Sequence, residues 1–188
     1  MKEKLILIGA STGGPGHLKK ILASIGGDFQ VPIVIAQHMN PAFIKSFVKQ
    51  FDSELPQKVS IIDDVHSIEK GHIYICSKHC QFQDDRYDLN LKCVDCVESY
   101  YNPSVDCIFQ SAVKLVDKYD ILAILLTGIG QDGANAMSEL QNHGATCIAE
   151  SEKSAIVFGM PKRAAELNSK VQVLDLDEII LFIKKFGE

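Results

Sequence analysis

Apolar residues arrive along this chain in two rhythms. Short runs without polar breaks, at Leu5–Ile8, Val31–Ala36 and Ile121–Leu126, read as strands buried on both faces of a parallel sheet. Val59–Ile62, His72–Cys76, Thr146–Ala149 and Val171–Val173 read as further strands. Between them the apolar spacing becomes helical. Leu18, Ile21, Leu22 and Ile25 mark a helix over Gly16–Ile25 that Gly26-Gly27 ends. Asn40 caps and Pro41 opens a second helix, with Phe43, Ile44, Phe47, Val48 and Phe51 on its inner face. Ser104 caps a third, predicted to run through Tyr119 on the stripe Val105, Ile108, Phe109, Ala112, Val113 and Val116. Ala134–His143 (stopped by Gly144), Met160–Asn168 and Leu176–Phe186 complete the helices. Only Phe82–Val94 alternates, around a tip at Asp84-Asp85-Arg86, and it predicts an antiparallel hairpin. Strands that alternate with helices imply a doubly wound, mostly parallel α/β sheet with helices on both faces and this hairpin in the middle of the chain. With 188 residues, one domain over residues 1–188 is the expectation.

The strongest chemical signal lies where strands end. Leu5–Ile8 runs into Gly9-Ala10-Ser11-Thr12-Gly13-Gly14-Pro15-Gly16, which reads as strand, tight turn and helix N-terminus. Backbone N–H groups converge at such a turn and favour negative charge. Ser11 and Thr12 there suggest either a nucleophile or a phosphate cradle. The second strand closes on Gln37-His38-Met39, and Ile121–Leu126 enters Thr127-Gly128-Ile129-Gly130-Gln131-Asp132-Gly133. Ligands of open α/β sheets sit at the carboxyl ends of strands. If these three strands are neighbours, Ser11, His38 and Asp132 meet at one rim as nucleophile, general base and orienting carboxylate. Placement alone leaves two other readings open. Ser11 could be a helix cap and the protein a non-catalytic α/β module, or the glycine turn could bind a nucleotide phosphate. The second has poor support. Neither the dinucleotide-binding glycine order nor a P-loop lysine is present, and Gln37-His38 stands where a ribose-binding acid is expected.

Composition narrows the partners. A net charge of −5 argues against nucleic acid and anionic membrane as binding partners. The apolar runs are too short to span or insert into a bilayer, and no signal peptide is visible, so a cytoplasmic protein with reduced thiols is expected. Cys76, Cys80, Cys93 and Cys96, with His79 among them, have spacings that zinc sites use. Spacing without geometry is weak, and small buried thiols are the preferred reading, with no metal expected.

The ordered set Ile8-Gly9-Ala10-Ser11-Thr12-Gly13-Gly14-Pro15, Gln37-His38-Met39, Asn102-Pro103-Ser104-Val105-Asp106, Leu126-Thr127-Gly128-Ile129-Gly130-Gln131-Asp132-Gly133-Ala134 and Gly159-Met160-Pro161 resembles the catalytic domain of the CheB-type chemotaxis protein-glutamate methylesterases. The likeness runs from about Leu5 to Leu174. It implies that Ser11 is the nucleophile, His38 the base and Asp132 its partner, that Thr12 supports activity, and that the main-chain N–H of Ile129 helps bind the oxyanion. The family more often carries Met at that last position. The implied reaction is hydrolysis of γ-glutamyl methyl esters on the cytoplasmic helices of methylated chemoreceptors, releasing methanol, with deamidation of receptor glutamines in many members. It implies no cofactor. Members usually carry an N-terminal phosphate-accepting receiver domain, and none is expected here because the sequence opens only a few residues before the first strand. Tyr74-Ile75-Cys76-Ser77-Lys78-His79 also shortens the family's hairpin segment.

Overall fold

The computed structural model describes residues 2–85, 88–95 and 98–188. Seven parallel strands form the central sheet: β1 (Glu3–Ala10), β2 (Ile33–Gln37), β3 (Val59–Ile62), β5 (Ile73–Cys76), β8 (Tyr119–Leu125), β9 (Thr146–Glu150) and β10 (Gln172–Leu174). Their spatial order is β10-β9-β8-β1-β2-β5-β3. From β1 the chain first builds outward through β2, then returns to the other side of β1 with β8. The order therefore reverses between β1 and β8, which is where open α/β sheets leave a crevice for ligands.

The alternation of side chains along β1 explains the two layers. Leu5 and Leu7 face one core with residues of α3 (Val105–Ala112), α4 (Ala134–Asn142) and α5 (Met160–Leu167). Ile6 and Ile8 face the other, with α1 (Gly14–Ser24), α2 (Pro41–Glu54) and α6 (Leu176–Gly187). All four β1 residues are fully buried, which is why that strand reads as an unbroken apolar run. Complete burial of such side chains stabilises by about 1.5–3 kcal/mol each.

A second, antiparallel sheet, β4-β7-β6, comprises β4 (Val65–Ser67), β6 (Cys80–Asp84) and β7 (Leu89–Cys93). β6 and β7 are the predicted hairpin. Its tip is closed by Asp85 N donating to Asp88 O at 3.1 Å, while Arg86 of the predicted tip lies outside the described residues. β6 leans on α3, where Phe82 N donates to Ser111 Oγ at 2.9 Å.

Two expectations need correction, and one strand is new. α3 ends at Ala112 instead of running through Tyr119, and Val113–Leu115 form a single 3-10 turn. Val113 and Val116 are three residues apart, the repeat of that tighter turn, so a stripe that looked continuous spans a change of helix type. β4 was not foreseen, because three residues with exposed flanks carry almost no apolar signal. On α2 only Ile44, Val48 and Phe51 are buried; Phe43 is 62% exposed at the helix start.

Candidate active site

β8, β1 and β2 are adjacent, so the three loops that leave their carboxyl ends share one rim. Ala10 and Gln37 form the last register pair of β1 and β2, and His38 N donates to Ala10 O at 2.9 Å. Ser11 and His38 thus each stand one residue beyond paired strand ends, where neighbouring strands lie roughly 4.8 Å apart. Among the described residues no hydrogen bond joins the Ser11 hydroxyl to the imidazole.

His38 and Asp132 are joined directly, Nε2 to Oδ2 at 2.6 Å. Asp132 is 2% exposed, a costly place for a charge. Three further donors compensate: Val105 N to Oδ2 at 2.7 Å, Asp106 N to Oδ1 at 2.9 Å and Ser104 Oγ to Oδ1 at 3.3 Å. The carboxylate therefore sits on the N-terminus of α3, where unpaired N–H groups and the helix dipole favour an anion. Burial works to raise the Asp132 carboxyl pKa. The His38 hydrogen bond and the Asp106 and Val105 N–H bonds outweigh it and hold the group below the usual carboxylate range. An ionised carboxylate has no proton to give, so His38 Nε2 is the donor and the neutral ring carries its lone pair on Nδ1.

Asp106 repays the arrangement in the opposite direction. Its Oδ1 accepts from Ala136 N at 3.0 Å, so α3 supplies a carboxylate to the start of α4 while the loop before α4 supplies Asp132 to the start of α3. Burial raises the Asp106 pKa, and the nearby Asp132 charge adds to that.

The Ser11 turn is fixed from behind. Ser11 N donates to Thr127 O at 3.0 Å, and Thr127 Oγ1 donates to Thr12 O at 2.8 Å. Thr127 N donates in turn to Glu150 Oε2 at 2.8 Å. Glu150 is wholly buried; it also accepts from Ser154 Oγ at 2.7 Å and lies 3.2 Å from His17 Nδ1. Gly128 passes so close to Ser11 that a Cβ there would fall 2.7 Å from Ser11 Cβ and 2.4 Å from Met160 Sδ. The next residue, Ile129, presents a 61% exposed side chain. Among the described residues no protein acceptor takes the Ile129 or Thr12 N–H.

Several contributors were invisible in the sequence. Tyr101 lies flat on His38, ring centroids 4.7 Å apart and planes 10° from parallel. Gln37 donates from Nε2 to both Ser11 O and His38 O, each at 2.9 Å. The sequence pattern marks Ser104 only as a cap. It does accept from Cys107 N at 3.2 Å, but it also faces Asp132. The Tyr101–His38 stack, the Gln37 bond to Ser11 and the Ser104 bond to Asp132 each span more than twenty residues, so no local pattern announces them.

Cys80 and Cys93 oppose each other across β6 and β7 with Sγ atoms 3.7 Å apart, and Cys76 and Cys80 are buried. Burial pushes the Cys93 thiol up to about 12. His79 Nδ1 accepts from Ser104 N at 3.1 Å. Among the described residues no three His, Cys, Asp or Glu side chains are grouped to hold a metal ion. Cys96 of the predicted set lies outside the described residues.

The arrangement is that of a parallel α/β domain with a histidine–aspartate pair beside a serine turn at its carboxyl rim. The CheB methylesterase family model matches residues 6–183, and the chain belongs to that family. It is 37% identical over 182 residues to protein-glutamate methylesterase/protein-glutamine glutaminase 2 of Carboxydothermus hydrogenoformans, covering 94% of this chain and 51% of that one. A Treponema denticola protein named protein-glutamate methylesterase/protein-glutamine glutaminase is 35% identical over 188 residues, 98% of this chain and 50% of that one. The crystal structure of the Thermotoga maritima CheB methylesterase catalytic domain superposes with a TM-score of 0.87 at 30% identity, covering 98% of this chain and 99% of that one. The chain spans about half the length of the curated relatives it matches. Among the described residues, no helix is long and apolar enough to cross a membrane.

Proposed function

We propose that this chain is a serine hydrolase that demethylates γ-glutamyl methyl esters on the cytoplasmic helices of bacterial chemoreceptors, and that it also deamidates glutamine at such positions. The observation that carries the reading is the 2.6 Å bond from His38 to the buried Asp132, one strand away from the Ser11 turn. Family membership supplies the substrate class.

The groups divide the work as follows. Ser11 Oγ attacks the ester carbonyl as His38 Nδ1 takes its proton. Asp132 fixes the ring with Nε2–H toward itself and steadies the imidazolium. The oxyanion of the tetrahedral intermediate is met by the Ile129 N–H, which has no acceptor of its own among the described residues. Collapse expels methanol, or ammonia from glutamine, which leaves with the proton from His38. Water, deprotonated by the same nitrogen, then hydrolyses the acyl-enzyme and releases glutamate. Ser11 and His38 are not hydrogen-bonded in the free protein; such contacts often tighten only once substrate is bound. Thr12, exposed beside the nucleophile, supports the turn and borders the incoming chain.

Methanol release from a methylated receptor cytoplasmic fragment tests the activity. Release well above the uncatalysed rate is expected, together with labelling of Ser11 by a fluorophosphonate; absence of both sinks the proposal. The oxyanion assignment rests on main chain alone. Ile129→Met and Ile129→Ala are therefore expected to keep kcat within about threefold, whereas loss of an oxyanion donor costs roughly 10²–10³-fold. A hundredfold fall in Ile129→Ala would move the role to the side chain.

A further inference from the structure

Gln37 ends β2 and is 3% exposed. Its Nε2 donates one hydrogen to Ser11 O and the other to His38 O, both at 2.9 Å. Two carbonyl oxygens can only be met by an NH2 group, so the amide orientation is fixed; a flip would set oxygen against oxygen. That orientation leaves Oε1 buried with no protein partner among the described residues. It lies against the start of α1, filling the space a side chain at Gly14 would need. Buried acceptors are rarely left orphaned, so the site tolerates an unfavourable group to keep the two donated bonds. Ser11 O does not need the second donor for its own sake, since Gly14 N already donates to it at 2.8 Å.

We infer that Gln37 is a positioning residue: its one amide ties the main chain of the nucleophile to the main chain of the base. The inference rests on the roles proposed above for Ser11 and His38. The β1–β2 pairing ends at Ala10 and Gln37, its last bond running from His38 N to Ala10 O, and among the described residues no ladder bond from β2 reaches Ser11. Beyond that point each loop turns away, Ser11 into α1 and His38 toward α2. The Gln37 amide extends the pairing by one residue, with side-chain bonds replacing the ladder. It thereby fixes the separation that proton transfer requires in both acylation and deacylation. A displacement of about 1 Å in such a pair costs on the order of 10²-fold in rate.

Gln37→Met tests this, because it keeps length and volume while removing both donors and the orphaned acceptor. The expected result is a kcat lower by roughly 10–100-fold, KM within about twofold, slower fluorophosphonate labelling, and a melting temperature equal to or above that of the parent. A purely structural glutamine gives a different signature: a lower melting temperature with kcat unchanged in the folded fraction. Gln37→Asn is the second variant. It keeps the amide but is one methylene too short to reach both carbonyls, and the same kcat loss is expected. A folded Gln37→Met with parental kcat overturns the inference. So does unfolding of both variants, which assigns the residue to stability. Ser11→Ala measured alongside separates the two levels. If it retains activity the nucleophile assignment fails; if it is inactive while Gln37→Met is unaffected, only the clamp fails.

Discussion

Ser11→Ala is expected to lower methanol release from methylated receptor by roughly 10⁵–10⁶-fold, the scale on which nucleophile removal acts when a triad works as a unit. The same substitution is expected to leave the melting temperature within about 2 °C of the parent, as surface or unbonded positions do. Both halves follow from the serine's surroundings. Its hydroxyl makes no hydrogen bond to His38 among the described residues, so no native contact is lost with it. It is also not a helix cap: the capping position of α1 is Gly13, held at φ 86°, and among the described residues no side-chain cap bonds that helix start. Had Ser11 served as the cap, alanine would cost about 1 kcal/mol of stability and nothing in rate. Methanol assays and thermal melts on one preparation discriminate the cases. Substantial residual activity in Ser11→Ala would refute the acyl-enzyme route, and a fall of several degrees with activity intact would restore the cap.

The fold was legible wherever one local rule decided the outcome. β1, β2 and β8 are buried on both sides, so each shows an uninterrupted apolar run. Asn40 caps α2 through Oδ1, accepting from Ala42 N at 3.0 Å, as its position before Pro41 predicted. Errors fell where packing overrides a local pattern. α3 gives way to a 3-10 turn inside an unbroken stripe, and Phe43 occupies an apolar position that is left largely exposed. The site divides the same way. Ser11 and Asp132 stand in glycine-rich turns after apolar strands and His38 follows an apolar strand that Asn40-Pro41 closes, so each is a candidate on local grounds; a shared rim then needs only the adjacency of three strands, which the order β8-β1-β2 satisfies. The groups that hold them were not. Val105 and Asp106 act through main-chain N–H groups, which carry no residue-type signature. Tyr101 acts through a face-to-face stack across 63 residues of chain, from a segment with no regular structure.

Asp132→Asn changes one atom and is expected to lower kcat by about 10⁴-fold, through the histidine rather than through lost charge alone. All four partners of the carboxylate stand as donors: His38 Nε2, Val105 N, Asp106 N and Ser104 Oγ. An asparagine has one oxygen for two acceptor positions. With its oxygen toward Asp106, its NH2 meets His38 and Val105, and His38 answers by moving its proton from Nε2 to Nδ1. The lone pair that should accept the serine proton is then gone. With the oxygen toward His38, the NH2 opposes the Asp106 N–H at the start of α3. Either arrangement leaves a buried N–H unsatisfied, which costs about 1–3 kcal/mol, so Asp132→Asn is also expected to melt lower at neutral pH. The pH dependence has a definite sign. The folded pKa of Asp132 is depressed, so its contribution is present above the unfolded carboxylate value of about 3.9 and disappears as pH falls through the lower folded value. The melting difference between parent and Asp132→Asn should therefore be widest near pH 7 and shrink in that acid window. A difference that stays constant from pH 7 to pH 3 would mean that Asp132 carries no stabilising charge on the N-terminus of α3. An Asn variant with parental kcat would show that His38 needs no carboxylate to hold its tautomer.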